Sequence, residues 1–78
     1  MQVQEIWERG ERSPQVLRDS VASCIALYES ARVDYIEVVS ATSLQPFESI
    51  CTEDTVVALA VRFGRTRLID NAVLAMPE

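Results

Sequence analysis

Polar and apolar positions change rhythm partway along the chain. At the start Val3, Ile6 and Trp7 recur at intervals of three and four, and Gly10 follows as a stop. The spacing predicts that residues 1–9 are the last turns of a helix. A helix so short is marginal alone, so it reads as the tail of a longer one that begins upstream. Ser13 and Pro14 announce a second helix. A serine oxygen caps free amide hydrogens, and proline suits the first helical position, where an N–H would have no partner. Leu17, Val21, Cys24, Ile25 and Tyr28 form its apolar stripe, with Asp19 early and Arg32 at the end, as the helix dipole favours. The expected span is 14–31.

The rhythm then becomes alternating. Residues 33–39, VDYIEVV, are dense in β-formers; Tyr35, Glu37 and Val39 point one way, Ile36 and Val38 the other. Residues 55–63, TVVALAVRF, place Val57, Leu59, Val61 and Phe63 on one face and Val56, Ala58, Ala60 and Arg62 on the other. The alanine-lined face invites close helix packing. Gly64 and Arg65 supply a turn, and residues 66–76 return as a third strand antiparallel to the second. Between the first two strands lies a long connection broken by Pro46, in which Leu44, Phe47 and Ile50 are the expected anchors. The fold class is α+β: helices packed on one face of a small, three-stranded antiparallel sheet.

Length and composition narrow the chemistry. Seventy-eight residues make one domain, here 1–78, with little surface to spare for a deep cleft. The net charge of −5 argues against nucleic acid as a partner. All seven basic residues are arginines and histidine is absent, so the chain lacks a lysine nucleophile, the usual neutral-pH base and the commonest zinc ligand. No metal site and no catalytic residue is expected, and Gly10 and Gly64 are too few for a phosphate-cradling loop. Cys24 and Cys51 sit in apolar surroundings and read as buried or half-buried thiols rather than a redox pair. There is no run long and apolar enough to span a membrane and no signal-peptide pattern, which makes the cytoplasm the default compartment.

One run stands out: RTRLIDN, at 65–71. Alternation on the third strand puts Leu68, Asp70, Ala72, Leu74 and Met76 on one face and Arg67, Ile69, Asn71, Val73 and Ala75 on the other. Asp70 thus stands in an apolar row and calls for a partner, with Arg62 or Arg67 the expected one. Two readings remain open. Arg62, Arg65, Arg67, Asp70 and Asn71 either fix the register of the hairpin or offer a contact surface to another domain or a ligand phosphate.

Four words occur in order: GERS at 10–13, VDYIEVV at 33–39, TSLQP at 42–46 and LAVRFGRTRLIDN at 59–71. Together they resemble the C-terminal domain of the pantothenate synthetases, or pantoate–beta-alanine ligases, over essentially the whole chain; VDYIEVV and TRLIDN are the specific pieces. The resemblance implies a lid-type domain closing over a larger N-terminal nucleotide-binding domain with a His-x-Gly-His-type motif and a Lys-Met-Ser-Lys-Ser-like loop. It implies an enzyme that uses ATP and Mg2+ to join pantoate to beta-alanine, giving pantothenate, AMP and diphosphate, and that forms a homodimer mainly through its N-terminal domains. None of those catalytic motifs stands in this chain, so it is expected to be inactive alone. It is also expected to self-associate weakly through surface that the N-terminal domain would cover. Ser40 departs from the family pattern, which usually has aspartate there; a serine can replace it in a turn, but not in an ion pair. The alternative is an independent small interaction module of the same fold. The residues encoded before Met1 would separate the two.

Overall fold

A computed structural model describes residues 2–77. The element order is α1 (Gln2–Glu8), α2 (Pro14–Ile25), β1 (Ala31–Ser40), β2 (Thr55–Phe63) and β3 (Thr66–Leu74). The strands form one sheet in the order β1-β2-β3, antiparallel at both junctions. The helices lie on one face, as expected. Leu17 and Val21 of α2 and Val3 and Trp7 of α1 pack with Ile36 and Val38, with Val57, Leu59 and Val61, and with Leu74.

The short chain between the helices is built from local hydrogen bonds. Gly10, at φ 108°, donates its N–H to the Trp7 carbonyl, and Glu11 donates to Ile6; this pair of bonds is a Schellman ending, which needs the freedom of glycine. The Glu11 carboxylate accepts from the N–H groups of Arg12 and Ser13. Ser13 then caps α2, its hydroxyl accepting from the Val16 N–H, with Pro14 at the start as expected. Arg12 is the centre of this joint. Its guanidinium carbon lies 3.8 Å from the centroid of the Trp7 ring, and Nη1 donates to the carbonyls of Trp7 (2.7 Å) and Glu11 (2.8 Å). Its own carbonyl accepts from the Cys51 N–H at 2.8 Å.

Several boundaries and faces differ from expectation. The helix expected over 14–31 ends at Ile25, and β1 begins at Ala31 rather than at residue 33. Ala31 and Arg32 pair with Phe63 and Arg62, so ladder bonds claim residues that a longer helix would have used. Arg32 therefore sits in a strand, not at a helix end. The third strand stops at Leu74, short of Met76. The helices cover the Val57–Val61 face, which offers larger apolar side chains than the alanine face; Ala60, between Tyr35 and Ile69 across the ladder, is buried with no helix over it. Of the expected loop anchors only Phe47 packs on the core; Leu44 and Ile50 are exposed, and Cys51, 1% exposed, is the actual pin. Val3 and Trp7 are buried inside this chain, so they are not part of the surface through which it is expected to self-associate. Met1 of the expected 1–9 helix and Glu78 of the expected 1–78 domain lie outside the described residues.

Ser40 settles into a turn. Its hydroxyl oxygen accepts from the N–H groups of Thr42 and Ser43, and the hydroxyl donates to the Glu53 carboxylate. Leu44, at φ 61°, closes that turn by donating to the Ser40 carbonyl, and Ser40 donates back to Gln45. The geometry supports the turn role for this position.

Arg12→Ala removes two charge-assisted bonds and a ring contact, and should lower stability by about 2 kcal/mol, a Tm loss of roughly 8–16 °C in so small a domain. Arg12→Lys should recover only part of this, because an ammonium cannot both stack and fork. Urea titrations followed by Trp7 fluorescence would test both; equal midpoints for Ala and the parent would contradict the role.

Candidate functional site

The helix-free face of the sheet carries the residues singled out in sequence. Strand pairing sets Arg62 directly across from Arg67, and Ala58 across from Asn71, all on this face. Arg65 follows Gly64 in the hairpin turn and is exposed. Gly64 holds φ 60° at the first central position, the pattern of a type II′ turn whose twist suits the strands it joins.

The partner of the arginines is Asp34, which the sequence reading did not single out. The ladder between β1 and β2 slips between Val33 and Tyr35, which leaves Asp34 as one extra residue in β1. The bulge turns its carboxylate to the arginines. Arg62 Nε lies 3.3 Å from both Oδ1 and Oδ2, and Arg67 Nε lies 3.0 Å from Oδ2. One carboxylate thus serves two guanidiniums, and the cluster keeps a net positive charge in an acidic chain. Both contacts run through Nε, so the Nη groups of two largely exposed guanidiniums remain for another acceptor, a carboxylate or a phosphate.

Asp70 is not part of the cluster. It pairs across from Leu59 on the helix-bearing face, is exposed, and accepts from the Asn71 N–H at 2.8 Å. The expected pairing of Asp70 with Arg62 or Arg67 is thereby overturned. The pleat decides it: side chains one residue apart on a strand point to opposite faces, and Asp70 is an odd number of residues from Arg67. The sequence did hold a signal for Asp34. Aspartate is disfavoured in strands, so one inside VDYIEVV needs a special backbone or a partner, and here has both.

The rest of the face is a shallow apolar strip. Val39, Val56 and Val73 form one cross-strand row and Tyr35, Ala60 and Ile69 another; Ile69 is 60% and Val73 58% exposed. Among the described residues no group of three His, Cys, Asp or Glu side chains is placed to hold a metal ion. The two thiols are remote from the arginines: Cys24 is half-buried in the last turn of α2 and Cys51 is buried. Cys51 lies in the core, where burial pushes its thiol above the ordinary value, opposed by a hydrogen bond with Thr55 and by the charge of Arg12. A neutral, buried thiol is a poor nucleophile.

The model of the family described as Pantoate-beta-alanine ligase matches residues 1–73. The chain is 41% identical over 71 residues to a pantothenate synthetase of Geobacillus kaustophilus, covering 91% of the chain and 23% of that protein. It is 45% identical over 65 residues to one of Geobacter sulfurreducens, covering 83% and 23%. A bifunctional pantoate ligase/cytidylate kinase of Trichormus variabilis is 39% identical over 74 residues, 95% of the chain and 14% of that protein. The chain spans about a quarter of the length of the pantothenate synthetases it matches.

Asp34→Asn should cost roughly 0.5–1.5 kcal/mol, since two half-exposed pairs are each worth about 0.2–1 kcal/mol. Asp70→Asn should stay within about 0.5 kcal/mol of the parent. Chemical denaturation of both variants reads this directly, and the reverse order would restore Asp70 as the structural carboxylate.

Cys51 also has a pH signature. Its folded value is raised above 9.0, so its contribution to stability is complete below that pH and is lost as pH rises through the folded value. Stability measured on the alkaline side should fall more steeply in the parent than in Cys51→Ala. Parallel curves would show that the thiol ionises equally readily in the folded and unfolded states.

Proposed function

The chain belongs to the pantoate–beta-alanine ligase family, and from that premise we propose that it is the C-terminal lid domain of a ligase. The full enzyme would join pantoate to beta-alanine using ATP, with pantothenate, AMP and diphosphate as products. The observation that carries this reading is the family match along nearly the whole chain, set against its span of about a quarter of the matched enzymes. A piece of that size, without histidine or lysine, supplies a surface rather than the reacting groups.

Two features of the fold support a lid. The sheet presents a partly apolar face that α1 and α2 leave uncovered, suited to contact that must open again. At one end of that face Arg62 and Arg67 are held by Asp34 with their Nη groups free for an anion, such as a phosphate of ATP or of the adenylate. Mg2+ does not fit the donors described here, so its ligands are assigned to the rest of the enzyme and to the nucleotide. The N-terminal nucleotide-binding domain is the partner of this face, and the intact enzyme is a homodimer in the cytoplasm. Asp70, on the opposite face, takes no part in the ligand fringe; Asn71 and Arg65 remain at its margin.

Two measurements test the reading. The 78-residue chain, given ATP, Mg2+, pantoate and beta-alanine, should release no AMP above a buffer control. In the full-length enzyme, Arg62→Ala together with Arg67→Ala should lower kcat/KM about tenfold, equivalent to about 1.4 kcal/mol, with kcat falling and KM rising as for a closing element. AMP release by the chain alone, or unaltered kinetics in the double variant, would overturn the lid assignment.

A further inference from the structure

The helix-bearing face is covered unevenly. α1 and α2 run antiparallel: the tight joint at residues 9–13 brings the end of α1 to the start of α2, and the Gln2 side chain meets Cys24 in the last turn of α2, Sγ to Oε1 3.0 Å. Trp7 Nε1 donates to the Ala75 carbonyl at 2.8 Å, which fixes the end of α1 over the end of β3. α1 therefore points its first residue toward the hairpin. A cleft of about 280 Å³ lies between the last turn of α2 and the start of β3, floored by Leu59 and Val61 and walled by Cys24, Ile25, Tyr28 and Leu68. Tyr28, which meets Phe63 edge to face, is 63% exposed and Leu68 is 49% exposed. Polar Asp70 stands at the rim.

We propose that this cleft is the seat of the helical segment immediately preceding Met1 in the full-length ligase, in line with α1. The position argues for it. A helix prolonged backward from Gln2 passes along α2 beside Cys24 and then lies over Leu59, Val61 and Leu68. The buried side of α1, Val3 and Trp7, already faces this core, so the side chains one and two turns before Val3 face the cleft. They should be apolar, with an arginine, lysine or amide donor where the helix passes Asp70. The relatives are long enough to supply the segment, since the chain spans about a quarter of them. The inference rests on reading the chain as part of a longer ligase, but not on the lid function.

Cys24 is the reporter. In the 78-residue chain at low micromolar concentration its half-buried thiol should react with a maleimide, while in the full-length protein it should react at least about tenfold more slowly. Cys51, buried in both, serves as the internal control. In the full-length protein, a proline placed one turn before Val3, or Leu68→Glu in the cleft, should restore the faster rate. Equal rates in the two lengths overturn the proposal. So does protection that survives the proline, which would assign the cleft to another part of the enzyme, or a 78-residue chain already protected, whether by a second copy or by closure of the cleft. A full-length protein that makes pantothenate with Cys24 unprotected sinks this inference alone. One that protects Cys24 but makes no pantothenate sinks the functional reading alone.

Discussion

The contact of Arg12 with Trp7 holds the fold in one piece. α1 is seven residues long, too short to be stable by its own hydrogen bonds. It persists because its indole is buried at one edge of the core, bonded to Ala75, and roofed by a guanidinium that also binds the Trp7 carbonyl in the helix's last turn. The backbone of the same arginine receives the Cys51 N–H and so ties down the long loop between β1 and β2. Three distant stretches of the chain meet here: the first helix with its interhelix joint, the loop and the end of the last strand. The GERS word is thus a structural joint. Glycine ends one helix, glutamate satisfies two amides, arginine locks the indole, and serine starts the next helix.

The two faces of the sheet follow different rules. The larger side chains of Val57, Leu59 and Val61 draw the helices to one side, where burial is complete at the loop end and incomplete near the hairpin. The other side carries alanines that need no cover, since neighbours across the ladder hide Ala60. Its remaining apolar surface is moderate and interrupted by charge. That combination suits contact with a partner more than permanent burial.

Alternation and turn chemistry made much of this readable in advance. The pleat of 55–63 and 66–74, the Gly64 turn and the Ser13-Pro14 start are local choices, and each agrees with the fold. What was not readable depended on partners far away in sequence. α2 ends at Ile25 because β2 pairs with Ala31 and Arg32, which no window around residue 25 can reveal. Cys51 rather than Ile50 pins the loop because the Arg12 carbonyl waits for its N–H. In the candidate site the arginines were legible and their carboxylate was not. A regular strand would have turned Asp34 toward the helices, and only the slip at the bulge sends it to the opposite face.

That slip has a consequence for how the length of β1 can vary over evolutionary time. Residues 31–33 pair with 63–61, and residues 35–40 pair with 60–55, so the partners on either side of Asp34 are already consecutive. A strand lacking this one residue would keep every other pairing and every inward-facing side chain, and would lose only the anchor of the two arginines. Insertion or deletion here is therefore a change of surface charge, not a shift of register. The sheet can gain or shed the cluster in a single-codon event while its core stays in place.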